Sequence, residues 1–237
     1  MNKLILGAAV LALSATGALA ETVRMGTEGA YPPYNYIDDN GEVAGFEREL
    51  GDKLCEIAGL TCEWVTNDWD SIIPNLVSGN YDTIMAGMSI TPERDEVIDF
   101  TQNYTQPDPS AYVAASADAD IAGGVVAAQT NTIQAAYITE NNGTLVEFAT
   151  PEETIAAVKS GEADAVLADK AYLDPIVAES GGELTVVGTV LIGGGVGLGV
   201  RESDTELKAK FDAAIQSMKD DGSLNELLVK YEIGEPF

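Results

Sequence analysis

The segment from residue 46 to residue 86 reads FERELGDKLCEIAGLTCEWVTNDWDSIIPNLVSGNYDTIMA. Its apolar periodicity predicts a helix over residues 46–58 and a strand over residues 62–65. A second helix over residues 69–77 and a second strand over residues 81–86 follow. Strand and helix thus alternate at the spacing of parallel α/β units, so this segment indicates an α/β fold.

Two details of this segment are open to a structural check. In the first helix, the spacing of Leu50, Leu54 and Ile57 predicts that all three side chains face the core. Asp68 precedes the second helix, where its carboxylate is expected to cap the helix N-terminus.

The same alternation continues on both sides of the segment. A strand is expected over residues 22–26, and a proline-rich loop over residues 104–110 interrupts the rhythm before it resumes. The later predicted strands cover residues 125–128, 145–148, 163–167 and 184–187, and the later helices cover residues 132–139, 154–159, 205–219 and 224–231, with one more from residue 169.

Two breaks in the alternation, near residues 104–111 and 188–196, suggest that one lobe is inserted into another. Lobe 1 is expected to comprise residues 21–108 and 192–237, and lobe 2 residues 109–191. Two chain crossings between the lobes would form a hinge. Each lobe is expected to hold a mixed, mostly parallel sheet flanked by helices.

The first twenty residues have the layout of a cleaved secretory signal: Met-Asn-Lys, an apolar block, and small residues ending at Ala20. Removing residues 1–20 takes away one base, Lys3, and leaves 217 residues with 11 basic and 39 acidic side chains, a formal charge of −28. Such a chain is a poor partner for nucleic acid or anionic membranes. An exported, periplasmic, monomeric protein is expected.

The chain has two cysteines, Cys55 and Cys62, and no histidine. Export to an oxidising compartment predicts a local disulfide between them. Without further Cys or His ligands a zinc site is not expected, and without histidine the Ser-His and Cys-His hydrolase mechanisms are excluded. We therefore expect neither a metal, nor a cofactor, nor catalytic residues.

The stretch AGMSITPERDEVIDFT, residues 86–101, contains one of only four arginines. Arg94 follows Gly87 and Ser89, whose backbone and hydroxyl groups can complete a carboxylate site around a planar guanidinium. The alternative is a surface arginine paired with Glu93 or Asp95.

Aromatic residues follow two of the predicted elements. The loop after the first strand, EGAYPPY from residue 28, places Glu28 and Tyr31 where open α/β sheets bind ligands. Trp69 opens the next helix and can face Tyr31 across a ligand's aliphatic stem. The alternatives are packing of Tyr31 with Tyr34 and Tyr36, and a core tryptophan.

In the second lobe, Asp169 follows a buried strand and Thr132 begins a helix. Each side chain can cap its helix or face the cleft. An acid opposite Arg94 would pair with an ammonium group, so Arg94 and Asp169 together would recognise an α-amino acid. Helix N–H groups and the Thr132 hydroxyl can add to the carboxylate site.

Several motifs in this order resemble the polar amino-acid-binding proteins of bacterial ABC uptake systems, the family 3 solute-binding proteins. The resemblance covers nearly all of the chain after residue 20. The motifs are GTEGAYPPY, GFERELGDKLCE, WDSIIPNLVSGNYDTIMAGMSIT, PERDEVIDFT, GEADAVLAD and DGSLNELLVKY. It implies a two-lobed type II periplasmic-binding-protein fold that closes about a two-strand hinge.

The resemblance also implies roles for individual residues. Arg94 corresponds to the arginine that clamps the ligand carboxylate, assisted by Gly87 and Ser89, and Asp169 to the acid that takes the ammonium. Thr132 is implied as the contact of lobe 2 to the carboxylate.

Tyr31 and Trp69 are implied to line the side-chain space, and Glu28 to read the ligand's side chain. Two departures bear on specificity: Glu28 is longer than the common aspartate, and Asn131 replaces a small or hydroxyl residue among the ligand-binding positions.

The resulting expectation is a binding protein that delivers a cationic or amide L-amino acid, such as arginine, lysine, ornithine or glutamine, to an ABC permease in the inner membrane. Glu28 favours such side chains over acidic ones. The alternatives are a periplasmic enzyme on the same fold, similar to cyclohexadienyl dehydratase, and a ligand-sensing accessory protein.

Overall fold

The computed structural model describes residues 22–237, so the proposed signal segment lies outside the described residues. The strands are β1 Thr22–Thr27, β2 Ala30–Tyr31, β3 Asn35–Ile37, β4 Val43–Ala44, β5 Thr61–Thr66, β6 Thr83–Ile84, β7 Asp99–Phe100, β8 Pro109–Ala114, β9 Val125–Gln129, β10 Thr144–Phe148, β11 Ala165–Asp169, β12 Thr185–Leu191 and β13 Gly199–Val200. The helices are α1 Phe46–Ala58, α2 Ile72–Val77, α3 Pro92–Asp95, α4 Ile133–Glu140, α5 Pro151–Ser160, α6 Lys170–Glu179, α7 Thr205–Asp221 and α8 Ser223–Tyr231. All of the predicted elements are present, with ends displaced by up to four residues.

Two five-stranded sheets divide the fold into two lobes. The sheet of lobe 1 has the order β5-β1-β6-β13-β7, in which β1 runs parallel to β5 and β6. The sheet of lobe 2 has the order β10-β9-β11-β8-β12, in which β9 runs parallel to β10 and β11. Helices α1, α2, α7 and α8 pack on the first lobe, and α4, α5 and α6 on the second. The α/β class and the two lobes are confirmed.

The chain crosses between the lobes twice. It enters the second sheet at β8 and leaves it after β12, and these two strands pair antiparallel with each other. The two crossings therefore lie side by side, as a two-strand hinge requires. The exact lobe bounds at residues 108/109 and 191/192 stay a prediction.

Helix α1 shows where periodicity alone misleads. Leu50 and Leu54 are fully buried, as predicted, but 48% of the Ile57 surface is exposed. Ile57 shares their face by helical angle but lies in the last turn of the helix, and its side chain stays exposed there. The predicted disulfide is present between Cys55 of α1 and Cys62 of β5, and it ties the end of this helix to the sheet.

The segment after β5 differs from the single helix predicted over residues 69–77. It begins with a 3-10 turn, Trp69–Ser71, before α2. The Asp68 side chain makes no capping hydrogen bond; instead Asn67 Nδ2 donates to the Asp68 carbonyl at 2.7 Å and to Ser71 Oγ at 2.9 Å. The neighbouring amide therefore organises the turn that carries Trp69. No helix in residues 22–237 is long and apolar enough to cross a membrane.

A carboxylate with two arginine partners ties β1 to the return of the chain after β13. Asp82 accepts hydrogen bonds from Arg24 Nη2 at 2.8 Å and from Arg201 Nη2 at 3.1 Å. Burial alone would raise the pKa of Asp82, but the hydrogen bonds from the two arginines outweigh it and hold that pKa at about 2. The ionised form is therefore favoured by the folded state.

We expect Asp82→Asn to lower the free energy of unfolding by roughly 1–3 kcal/mol at pH 7, because it removes a paired charge that the fold stabilises. The folded-state pKa is depressed, so this contribution is present above the unfolded value of 3.8 and is lost as the pH falls towards 2. Urea unfolding at pH 7 and pH 3 measures it. The control Asp39→Asn removes an exposed carboxylate and should change little; equal losses in the two variants would contradict the assignment.

Candidate functional site

A pocket between the lobes brings the predicted residues together. It holds about 490 Å³ of space not filled by atoms, part of it open to solvent. Eight of the nine predicted ligand-binding residues line it: Glu28, Tyr31, Trp69, Gly87, Ser89, Arg94, Thr132 and Asp169. Asn131, the ninth, lines an adjoining groove that shares Trp69 and Arg94 with this pocket.

Arg94 differs from the other three arginines. Arg24, Arg48 and Arg201 each form an ion pair with an aspartate. Arg94 forms none with any residue in 22–237, so the alternative of a surface pair with Glu93 or Asp95 is not what the structure shows. It lies in the short helix α3, whose first turn is capped by the Thr91 hydroxyl.

The surroundings of Arg94 fix its guanidinium while leaving part of it free. Nη1 donates to the Ser89 carbonyl at 2.8 Å, Nη2 donates to the Asn131 carbonyl at 3.1 Å, and Cζ lies 5.5 Å from the Trp69 ring centroid. Burial lowers the pKa of Arg94 to about 10, although the charge of Asp169 opposes this, so the group stays protonated at neutral pH. The remaining N–H groups suit a carboxylate.

Asp169 ends β11 and faces the cleft. Its side chain makes no capping bond to α6. Instead, Oδ1 accepts from Gln134 Nε2 at 3.0 Å and Oδ2 accepts from the Tyr31 hydroxyl, across the cleft, at 2.9 Å. Burial raises the pKa of Asp169 to about 6, although the Tyr31 hydrogen bond and the charge of Arg94 oppose the rise. The capping alternative is thus not the one observed.

The two predicted aromatic residues, Tyr31 and Trp69, both line the pocket. The Tyr31 ring stacks on Tyr172 of lobe 2, with centroids 4.4 Å apart, and its other ring neighbour is Tyr34 at 5.9 Å. Trp69 is 8% exposed, and its buried Nε1 has no hydrogen-bond partner among residues 22–237. Of the packing cluster considered from sequence, Tyr34 packs against the Tyr31 ring, whereas Tyr36 is exposed.

Glu28 follows β1 and reaches the other lobe. Its Oε1 accepts from Gln129 Nε2 at 2.6 Å, and the same amide donates to the Ala149 carbonyl at 3.0 Å. Burial raises the pKa of Glu28 to about 7; the Gln129 hydrogen bond opposes the rise, and the charges of Asp70 and Asp68 add to it. The pocket therefore holds a second acid, and its carboxylate forms no ion pair with any of the described residues.

Two groups expected to serve a ligand carboxylate are engaged elsewhere. The Gly87 N–H donates to Oε1 of the buried Glu47 at 2.7 Å. The Thr132 hydroxyl accepts from Ala135 N at 3.2 Å and donates to the Gln129 carbonyl at 2.7 Å, so it acts as the cap of α4. Ser89 contributes its carbonyl to Arg94.

Sequence reasoning missed Gln129, Gln134 and Tyr172 as site residues. Each contacts a predicted site residue directly. Only their position in the sequence could have indicated them. Gln129 ends the buried strand β9. Gln134 lies in the first turn of α4, which follows β9, and Tyr172 in the first turn of α6, which follows β11. Neutral side chains at such positions carry no charge pattern that singles them out.

Comparison with known proteins agrees with this architecture. Residues 23–235 match the family described as bacterial extracellular solute-binding proteins, family 3. The chain is 34% identical to the L-arginine-binding protein of Pseudomonas aeruginosa, over 98% of this chain and 96% of that protein.

Two solved structures are informative. A periplasmic His/Glu/Gln/Arg/opine family-binding protein from Silicibacter pomeroyi, in complex with lysine, is 73% identical with a TM-score of 0.88, covering 91% of this chain and 99% of that one. An ancestral amino acid-binding protein, a precursor of cyclohexadienyl dehydratase, is 29% identical with a TM-score of 0.79, covering 89% and 94%. The two-lobed fold is that of the type II periplasmic binding proteins, and the chain belongs to family 3 of the bacterial extracellular solute-binding proteins.

Proposed function

We propose that the protein binds a cationic L-amino acid between its lobes and delivers it to an ABC importer. The observation that carries this proposal is that Arg94 and Asp169 lie on opposite sides of one pocket. Arg94 has no ion-pair partner in the described chain. These two groups have the charges that an α-carboxylate and an α-ammonium require. The binding of arginine and lysine by similar proteins supports the same ligand class.

The geometry suggests an order of events. The ligand carboxylate meets the free N–H groups of Arg94 in lobe 1, and closure of lobe 2 then brings Asp169 to the ammonium. Tyr31 and Trp69 line the space for the aliphatic stem. The ligand drives closure because it binds the closed arrangement more tightly than the open one.

Glu28 favours a cation at the end of the ligand side chain. Its raised pKa reflects an ionised form that lacks a positive neighbour, and a guanidinium or ammonium supplies one. An acidic side chain finds no such partner, since Lys170, next to Asp169, pairs with Asp174. Glutamine, with a neutral amide, is the next candidate.

Transport requires a compartment and a partner. The family supports a periplasmic protein, and residues 1–20 have the pattern of the signal that would direct it there. The closed form, presented by a monomer, would be what a permease in the inner membrane recognises. A sensing accessory protein would bind the same ligand and differ in its partner.

The ligand class is tested by a thermal-shift panel of the common amino acids and ornithine on refolded, ligand-free protein. Bound ligand stabilises by mass action, so arginine, lysine or ornithine should raise the unfolding midpoint by several degrees. No shift with any amino acid would overturn the proposal.

Arg94→Ala should weaken binding of every amino acid at least about a hundredfold, because the ligand carboxylate loses its charged partner. Isothermal titration calorimetry measures the loss, and circular dichroism checks the fold. The matched control is Arg48→Ala, which removes a half-buried arginine outside the pocket, paired with Asp52, and should keep wild-type affinity. Retained micromolar affinity in Arg94→Ala would contradict the clamp.

Glu28→Gln should stabilise the ligand-free protein while weakening cation binding. The folded-state pKa of Glu28, about 7, lies above its ordinary 4.5, so the stability it contributes is present below pH 4.5 and lost as the pH rises through 7. At pH 8 the variant should gain roughly 1–3 kcal/mol in unfolding free energy, and near pH 4.5 nothing. Urea unfolding measures this, with the exposed Glu42→Gln as control; a loss of stability at pH 8 would contradict it.

Affinity for arginine or lysine should fall as the pH drops from 8 to 6, because protonation of Glu28 removes the charge that faces the cation. The slope approaches about tenfold per pH unit below 7. In Glu28→Gln the fall should begin only near pH 6, where Asp169 is protonated. A flat profile for the wild type between pH 8 and 6 would refute the role of Glu28.

The competing proposal is an enzyme, since a precursor of a cyclohexadienyl dehydratase is among the similar structures. Glu28, with a pKa of about 7, is the acid that could protonate a leaving hydroxyl. Loss of water from a cyclohexadienyl ring yields an aromatic product, so ultraviolet absorbance detects turnover. Turnover abolished by Glu28→Gln, without amino-acid binding, would favour the enzyme.

A further inference from the structure

Glu47 is a fully buried carboxylate that lies outside the pocket. It occupies the second position of α1 and has no exposed surface. Oε1 accepts hydrogen bonds from the Gly87 N–H at 2.7 Å and from the Tyr104 hydroxyl, and Oε2 accepts from Asn35 Nδ2 at 2.7 Å. Three donors thus converge on one side chain.

The three donors belong to three different segments around the site. Gly87 lies in the loop that carries Ser89 towards Arg94. Asn35 links Glu47 to a further segment: its Oδ1 accepts from the Gly29 N–H at 2.7 Å, and Gly29 directly follows Glu28. Tyr104 lies in the segment that leads to the first crossing between the lobes.

A purely structural role does not account well for a carboxylate at this position. Burying an ionised group costs free energy, and an apolar residue would fill the same space without that cost. Hydrogen bonds from three donors offset the cost and also fix the relative positions of the segments that make them. An apolar side chain would fill the volume and leave the three segments unconnected.

We propose that Glu47 is a positioning residue for ligand binding: it holds the Glu28 and Gly87 segments in fixed register beneath the ligand and ties them to the hinge segment at Tyr104. The inference rests on the proposed function, since its effect is on amino-acid affinity. A site held in its binding geometry before the ligand arrives loses less entropy on binding.

The decisive variant is Glu47→Gln. Its amide presents an N–H₂ group to the Asn35 amide or to another of the three donors, so donor faces donor and one link is lost. Ligand affinity should fall about tenfold. The double variant Glu47→Gln with Asn35→Asp exchanges the charge and the amide, since the new carboxylate accepts from both the glutamine and the Gly29 N–H. It should restore affinity to within about threefold of wild type.

A matched control separates positioning from stability. Leu50→Ala alters the same helix at a fully buried residue that makes none of these hydrogen bonds. It should lower stability, yet bind with wild-type affinity when assayed well below its unfolding midpoint. Equal affinity losses in Leu50→Ala and Glu47→Gln would mean that Glu47 only stabilises the fold, and would overturn the inference.

A measurement made without ligand distinguishes failure of the proposed function from failure of the positioning role of Glu47. In protein labelled with ¹⁵N-glycine, the amide signals of Gly29 and Gly87 should shift in Glu47→Gln, and return towards their wild-type positions in the double variant. If the wild type binds no amino acid, the proposed function fails while these signals still test the connections. Wild-type affinity in Glu47→Gln, with the wild type binding normally, overturns the positioning role itself.

If Glu47→Gln does not fold, Asn35→Ala tests the branch to Gly29 alone. It removes the acceptor for the Gly29 N–H and the amide that donates to Glu47 Oε2, and it leaves the Gly87 and Tyr104 bonds in place. Affinity should fall at least about threefold. Unchanged affinity in this variant would overturn the link between Glu47 and the Glu28 segment.

Discussion

The site depends on one guanidinium that is held in place and left without an ion-pair partner in the described chain. In a protein with 39 acidic and 12 basic residues, a cation at the cleft that forms no ion pair within residues 22–237 requires a specific arrangement. Here the Ser89 and Asn131 carbonyls and the Trp69 ring hold Arg94, and neutral groups can do this without cancelling its charge. The field of Arg94 therefore remains directed into the pocket, where a ligand carboxylate can meet it.

The cleft also contains two acids, Glu28 and Asp169, whose charge is opposite to that of Arg94. Burial raises the pKa of both Glu28 and Asp169, so the fold disfavours the ionised forms of these two acids near neutral pH. In the proposed complex, a cationic amino acid would offset this at two points, with its ammonium beside Asp169 and its side-chain charge beside Glu28. Part of the proposed affinity would then originate in the unfavourable ionisation of these acids in the ligand-free protein, which is why stability and binding are expected to respond oppositely at Glu28.

A site residue can be identified from the sequence only where its residue type or its position forms a recognisable pattern. Arg94 was identifiable because arginine is scarce, and Asp169 because it ends a buried strand. Ile57 was misplaced because periodicity assigns a helix face without showing whether another element covers it. Gln129 carries no charge and follows no motif, and Glu47 resembles any acid in the first turn of a helix, where the helix dipole alone explains it. Only three-dimensional contacts distinguish these two.

The hydrogen bonds that join the two lobes at the cleft involve residues that are proposed to bind the ligand. Four hydrogen bonds cross the cleft at the site. The Tyr31 hydroxyl donates to Asp169 Oδ2 and accepts from the Asp169 N–H, Gln129 donates to Glu28, and Arg94 donates to the Asn131 carbonyl. Each contains a residue assigned to the ligand, so the contacts that hold the lobes together cannot change independently of the pocket. A ligand that bridges Arg94 and Asp169 strengthens the closed arrangement by its differential affinity for it, and one that lacks either charge shifts the equilibrium less. Under the proposed function, the degree of closure would depend on the chemistry of the bound ligand, and a permease could discriminate between ligands without contacting them.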